Sequence, residues 1–279
     1  MTILTTTPEI AVQLYSVRDH LGDGAALDQT LDRLAALGVG SVEPFTVFDG
    51  RLADALARAG LAAPTAHSPF LSDELELGGR TVSLPPAEAA FEAARALGTT
   101  TLIDPMVPAD RWRTSDDVAR TAERANRAAE QAAALGLRLG YHNHSFEFHA
   151  RIEGRSAYEH FVSLLDDRVV LEVDVFWAAV AGQDVPALLR RLGDRVVALH
   201  VKDGVVTHDP FAAAGRHDGQ SGGYDAASLD QRPAGQGELP LGAILDAAPG
   251  RELDVVEYDH APGDAFAAVD ASVRWLRSH

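Results

Sequence analysis

Cysteine is absent from this chain of 279 residues, which rules out disulfides, thiol nucleophiles and thiolate zinc sites. Any metal ion would therefore rest on carboxylate and imidazole. Basic residues are scarce: 24 Lys and Arg stand against 41 Asp and Glu, a formal net charge of −17. Nucleic acid needs a basic footprint and so does binding to an anionic membrane, so neither is an expected partner. The acidity itself reads as a solubility device. No stretch approaches the ~18 consecutive apolar residues of a membrane span. Residues Met1 to Pro8 are Thr-rich and carry neither a basic segment nor an apolar one, so no signal peptide is expected and the cytoplasm is the default location. Low-complexity linkers are also missing, which leaves one domain over residues 1–279.

What is present is an ordinary globular balance, 46% hydrophobic and 23% charged, arranged as a repeat. Short apolar runs predict strands at Ile10–Tyr15, Ser41–Phe45, Ala62–His67, Thr100–Asp104, Leu137–His142, Val169–Asp174, Val196–Val201 and Leu253–Glu257. Segments of helical period lie after them, at Gly24–Leu37, Arg51–Ala59, Pro86–Leu97, Ser115–Leu135, Ser156–Leu165, Val185–Leu192, Leu241–Ala248 and Asp264–Leu276. Ser115 before Asp116 and Asp117 reads as an N-cap, and the Leu-Gly pairs at Gly38, Gly98 and Gly136 read as helix ends. This alternation predicts an α/β protein of (β/α)8 barrel type, a fold of typically ~250 residues. A doubly wound sheet would usually show a Gly-rich phosphate turn after its first strand, where Ser16-Val17-Arg18-Asp19-His20 stands instead. Residues 203–238 form a Gly- and Asp-rich segment far longer than the ~12–15 residues of an ordinary loop. It follows the seventh strand and is expected to be a lid over the site.

Chemistry concentrates at strand ends. The tract Leu-Gly-Tyr-His-Asn-His-Ser-Phe-Glu-Phe, Leu139 to Phe148, places His142, His144 and Glu147 within six positions, and later strands end at Asp174, His200 and Glu257. Residues two apart share one side of a strand, so His142 pairs with His144, Glu172 with Asp174, His200 with Lys202, and Glu257 with Asp259. Function in such barrels sits at the C-terminal strand ends. Ionisable residues at four consecutive strand ends describe ligands converging on one metal ion.

The ordered set Val12-Gln13-Leu14-Tyr15-Ser16-Val17-Arg18, Ser41-Val42-Glu43, Ala66-His67, Tyr141-His142-Asn143-His144, Phe146-Glu147-Phe148, Asp174-Val175-Phe176-Trp177, Leu199-His200-Val201-Lys202-Asp203, Gly235-Gln236-Gly237 and Val256-Glu257 resembles the sugar phosphate isomerase/epimerase family of xylose isomerase-like TIM barrels, in a subgroup with the Tyr-His-Asn-His tract. The resemblance implies one divalent ion, Mn²⁺ by preference with Mg²⁺, Co²⁺ or Zn²⁺ as alternatives. Its implied ligands are Glu147, Asp174, His200 and Glu257. Many members carry the strand-five glutamate where His142 stands here, so either Glu147 folds back to the ion or His142 replaces it. Glu147 is the expectation. Where epimerase relatives often place a His, Trp177 supplies an apolar wall.

The activity implied is isomerisation or epimerisation of a keto-sugar or polyol by proton abstraction next to a carbonyl. Glu147 and Glu257 are the expected proton-transfer pair, with His142, His144 and Lys202 shuttling protons or holding hydroxyls, and Glu43, His67 and Trp177 facing substrate. Loss of a β-hydroxyl or alkoxy group would instead make a lyase or dehydratase acting on a keto-sugar, keto-glycoside or inosose. A non-catalytic sugar-binding barrel is the third reading. A small sugar is the expected partner, a homo-oligomer remains open, and Trp112, Trp275 and the imidazoles of His149, His160, His208, His260 and His279 are expected to be packing or solvated residues.

Overall fold

The protein is described here by a computed structural model covering residues 7–22, 24–45, 50–77, 80–212, 226–261 and 263–279. Its centre is an eight-stranded parallel sheet made of β1 (Glu9–Gln13), β2 (Ser41–Glu43), β3 (Thr65–His67), β4 (Thr101–Asp104), β5 (Arg138–His142), β6 (Val169–Asp174), β7 (Val196–Val201) and β8 (Leu253–Val256). The spatial order is β2-β1-β8-β7-β6-β5-β4-β3. Parallel bridges Ser41↔Ala62 and Phe45↔His67 join the two ends, so the sheet closes into the expected barrel. Helices α1 (Ala25–Ala36), α2 (Gly50–Ala59), α3 (Ala87–Leu97), α4 (Ser115–Ala133), α5 (Ala157–Leu164), α6 (Val175–Val180), α7 (Val185–Leu192), α8 (Leu241–Asp246) and α9 (Ala265–Arg277) lie along the chain between and after the strands.

Local chemistry moves several boundaries. β1 stops at Gln13 because its side-chain oxygen accepts the Tyr15 N–H at 3.1 Å and turns the chain into a 3-10 segment. β2 stops before Pro44, which has no N–H for the ladder. The N-cap of α4 is Thr114, one residue before the expected Ser115. Thr114 Oγ1 accepts the Asp117 N–H and the Asp117 carboxylate accepts the Thr114 N–H, both at 3.2 Å, which completes a capping box. Gly38, Gly98 and Gly136 all take positive φ at helix ends, as expected. The short α6 was not anticipated: Asp174 caps it by accepting the Trp177 N–H at 2.8 Å.

The main core lies between strands and helices, where Leu31, Leu34, Phe91, Leu102, Leu171 and Leu199 are fully buried. Each such side chain contributes on the order of 2 kcal/mol of hydrophobic stabilisation. A second apolar cluster, Ala11, Val170, Val197, Ala198, Leu253 and Val255, packs on itself. Strand alternation puts Val170, Glu172 and Asp174 on one side of β6, and Ala198, His200 and Lys202 on one side of β7. Polar side chains therefore stand above an apolar floor. Gly140 lies two residues before His142, and a Cβ there would meet Ile103 Cδ1 at 2.6 Å. The floor is filled, so a side chain at this position would require Ile103 and Val170 to shift.

In the long segment after β7, residues 213–225, the centre of the expected lid, lie outside the described residues. Its two roots pair as a short antiparallel ladder, Asp203–Val205 with Asp230–Arg232. Asp203 accepts N–H groups from Gly204, Gly235, Gly237 and Leu239 at 2.8–3.2 Å. A Cβ on Gly237 would collide with the Asp203 carboxylate, so the Gly-Gln-Gly motif is a wrap around that group.

Candidate metal centre

Six barrel strands send polar side chains into one buried layer: Gln13, Glu43, His67, His142, Glu172 and His200. Glu172 Oε2 is its hub, lying 2.6 Å from His67 Nε2, 3.1 Å from His142 Nδ1 and 3.0 Å from His200 Nε2. Glu43 Oε1 accepts from Gln13 Nε2 at 2.8 Å and lies 3.0 Å from His67 Nε2 and 2.8 Å from His200 Nε2. Nearer the mouth, His200 Nδ1 lies 2.6 Å from Glu257 Oε2. Lys202 Nζ reaches Asp174 Oδ2 at 2.9 Å, Glu257 Oε2 at 2.7 Å and Asp259 Oδ2 at 2.8 Å. The returning root of the long segment holds Asp259 from behind, since Gln231 Nε2 donates to its Oδ2 at 2.7 Å and Gln231 Oε1 accepts its N–H.

Two overlapping groups of side chains could hold an ion, an inner one of His67, His142, Glu172 and His200 and an outer one of His142, Asp174, His200 and Glu257; within each, ligand atoms lie within 4.8 Å of one another. Burial opposes ionisation of Glu43, yet His67 and His200 hold its carboxyl well below the usual range. Burial likewise opposes charge on His67, but Glu43 and Glu172 push the ring up to about 10. Asp174 behaves differently. Burial pushes it up to about 6 in spite of Lys202 and His200, because Glu257 and Asp259 crowd the same corner. Three carboxylates around one ammonium leave negative charge in excess, and a divalent cation would relieve it. The donors are oxygen and nitrogen without sulfur, which suits Mn²⁺, Mg²⁺, Co²⁺ or Zn²⁺ alike.

The expected strand-end residues Asp174, His200 and Glu257 come together here, and with them His142. Glu147 does not join them: it belongs to neither ligand group. It lies in a 3-10 turn, Phe146–Phe148, where its Oε1 accepts from Tyr141 Oη and its Oε2 from the His144 N–H, each at 2.9 Å. Burial pushes its carboxyl up to about 8. The tract around it has a division of labour. Asn143 ties β5 to β6 by accepting the Asp174 N–H at 3.1 Å. Ser145 donates to Asp209 at 2.9 Å, docking the start of the long segment, and Phe211 packs edge-on against Phe146, their ring centroids 5.2 Å apart.

His144 stands above His142, ring centroids 5.3 Å apart, with Trp177 on its flank at 5.7 Å. Burial pushes its imidazole down to about 4, so it is neutral at ordinary pH. Glu43 and His67 lie in the inner layer, engaged with each other and with His200, and Trp177 is fully buried as a wall. Trp112 packs in the core, whereas His160 departs from the expectation of a solvated ring. It is buried, its Nε2 3.2 Å from Ser115 Oγ, because α5 and α4 pack over it. Sequence reasoning did not select Glu172 or Asp259. Their signal was the two-residue spacing from Asp174 and Glu257, which marks a shared strand side but not what that side meets.

A (β/α)8 barrel with an imidazole–carboxylate cluster at the C-terminal strand ends defines the class of protein. The chain belongs to the xylose isomerase-like TIM barrel family, whose model matches residues 31–279. Among solved structures it is similar to a sugar phosphate isomerase/epimerase from Parabacteroides distasonis, at 22% identity and TM-score 0.71 over 99% of this chain and 96% of that one. It is also similar to a probable 3-DHS dehydratase, AsbF, from Bacillus anthracis, at 11% identity and TM-score 0.67 over 96% and 98% of the two chains. The IOLI protein with a binding zinc atom matches at 12% identity and TM-score 0.68 over 95% of each chain. At these identities the likeness is one of fold. No curated protein sequence matches the chain.

Proposed function

We propose that the chain is a divalent-metal-dependent isomerase or epimerase of a small keto-sugar or polyol. The observation that carries this reading is the outer group, His142, Asp174, His200 and Glu257, buried at the ends of four neighbouring strands with Lys202 and His144 beside it. His142 takes the strand-five place that was expected of Glu147. A divalent ion held there would supply Lewis acidity toward a carbonyl oxygen and its neighbouring hydroxyl.

The chain's own groups do the rest. Glu257 keeps a little exposure to the mouth, 8% of its side chain, and serves as the base that takes the proton next to the carbonyl. Lys202, fixed by three carboxylates, holds the developing enediolate by charge. Neutral His144, with Nδ1 lacking a hydrogen-bond partner among the described residues, accepts a substrate hydroxyl and passes a proton. Trp177 limits the pocket on the β6 side and keeps water away. Return of the proton gives an isomer or epimer. Departure of a β-oxygen instead gives a lyase, and the dehydratase named among the similar structures keeps that outcome as the second reading.

Incubation with Mn²⁺ and a panel of keto-sugars in D₂O tests the reaction: deuterated isomers are expected, unsaturated products would move the assignment to a lyase, and no turnover of any sugar would defeat both. Asp174→Ala and His200→Ala proteins should remain folded and lose stoichiometric metal. Full metal content in either, measured by elemental analysis, would remove the outer group as the site.

A further inference from the structure

Resting on the metal site proposed above, we infer that Glu172 is a positioning residue that imposes opposite tautomers on the two ligand imidazoles, His142 and His200. Each ring turns one nitrogen inward and the other outward, but the two rings are reversed. His142 faces inward with Nδ1, 3.1 Å from Glu172 Oε2, and outward with Nε2, 3.8 Å from Asp174 Oδ2. His200 faces inward with Nε2, 3.0 Å from Glu172 Oε2 and 2.8 Å from Glu43 Oε1, and outward with Nδ1 toward Glu257.

An ionised carboxylate has no hydrogen to give, so a nitrogen within hydrogen-bond reach of it carries the proton. His200 Nδ1, 2.6 Å from Glu257 Oε2, therefore carries one too until an ion bound through Nδ1 and Glu257 replaces it; the proton that stays is the one on Nε2, which faces both Glu172 and Glu43. At 3.1 Å the inner contact of His142 is a hydrogen bond. At 3.8 Å the outer one is too long for a hydrogen bond, yet short enough for both atoms to bind one ion at ~2.1 Å each. His67 adds a third imidazole to the same Glu172 oxygen, at 2.6 Å, so the inner oxygen is surrounded by donors and already acts as an acceptor. A carboxylate behind a ligand imidazole fixes its tautomer and strengthens it as a ligand. Here one buried carboxylate does this for two ligands at once, and a histidine serves at β5 because Glu172 stands behind it.

The test reads ring protonation directly. Protein labelled with ¹⁵N-histidine and loaded with Zn²⁺, which is diamagnetic, is examined by long-range ¹H–¹⁵N spectra, with His142→Asn and His200→Asn proteins assigning the signals. The expected result is His142 protonated at Nδ1 and bound through Nε2, with His200 protonated at Nε2 and bound through Nδ1. Zn²⁺ titration gives a second readout: Glu172→Gln should weaken binding by about 10–100-fold, whereas the same change in a His142→Ala background should have a clearly smaller effect. The same protonated nitrogen on both rings, or Zn²⁺ on His142 Nδ1, would overturn the inference and place the ion in the inner group, where Glu43 Oε2 and Glu172 Oε1 lack hydrogen-bond partners among the described residues. Undiminished affinity in Glu172→Gln would overturn it as well. Absence of stoichiometric Zn²⁺ in the unaltered protein defeats the metal reading and this inference together; bound Zn²⁺ with the wrong tautomers defeats this inference alone.

Discussion

Glu147 shows how one side chain can carry two different roles in sequence and in space. Its position after a histidine-rich strand end suggests a ligand or base, yet its carboxyl holds the turn between Tyr141 and His144. Burial raises its pKa from 4.5 to about 8, so between those values the folded protein keeps a proton that the unfolded chain releases. Stability contributed by this group is full below the unfolded pKa and is lost as pH rises through the folded one, by at most ~1.4 kcal/mol per pH unit. Urea unfolding from pH 5 to 9 should show the native protein losing stability relative to Glu147→Gln. A constant difference across that range would mean that Glu147 does not titrate there. Gln keeps the size and can accept the His144 N–H, so turnover should stay within a few-fold if the role is support; a fall of two decades or more would restore Glu147 as the base.

At the scale of elements, the junctions rather than the strands position the chemistry. Asp174 ends β6 and caps α6 at the same time, so one oxygen is committed to the Trp177 N–H while the other faces Lys202. This coupling orients the carboxylate from both sides, through the helix start and through Lys202. Asp203 does comparable work one strand later, gathering four backbone N–H groups from the two roots of the long segment. Asp203→Ala would leave buried donors without an acceptor and should cost on the order of 3 kcal/mol in urea unfolding. Divalent-ion affinity should hold within a few-fold, because Asp203 touches none of the proposed ligands. A loss below about 1 kcal/mol would show that water replaces the carboxylate easily.

For the whole molecule, the formal charge of −17 means self-repulsion in the compact state. Raising NaCl from about 10 mM to 200 mM shortens the Debye length to less than 10 Å, and the melting temperature of the metal-free protein should rise by a few degrees. Divalent ion should act differently, adding about 2.7 kcal/mol at a hundred times its dissociation constant. That gain should vanish in Asp174→Ala while the NaCl effect persists. An equal response of both proteins to the ion would show diffuse screening instead of a site.

The barrel was legible from the chain because its strands and helices announce themselves by local periodicity and its glycines by the turns they permit. Residues at the ends of β6, β7 and β8 were legible for the same reason, since a period of two tells which side of a strand Asp174 and His200 occupy. Local pattern could not place Thr114 ahead of Ser115 as the cap of α4, because that choice depends on which hydroxyl reaches Asp117. Nor could it foresee α6, only six residues long, whose start rests on the Asp174 side chain. The inner layer was decided by tertiary structure alone: Gln13, Glu43, His67 and Glu172 come from four different strands, and only closure of the barrel brings their atoms within hydrogen-bond distance. The same holds for Glu147 and His142, five residues apart in one tract. A 3-10 turn carries the first back onto the Tyr141 hydroxyl and the His144 N–H, and the strand itself carries the second into the centre.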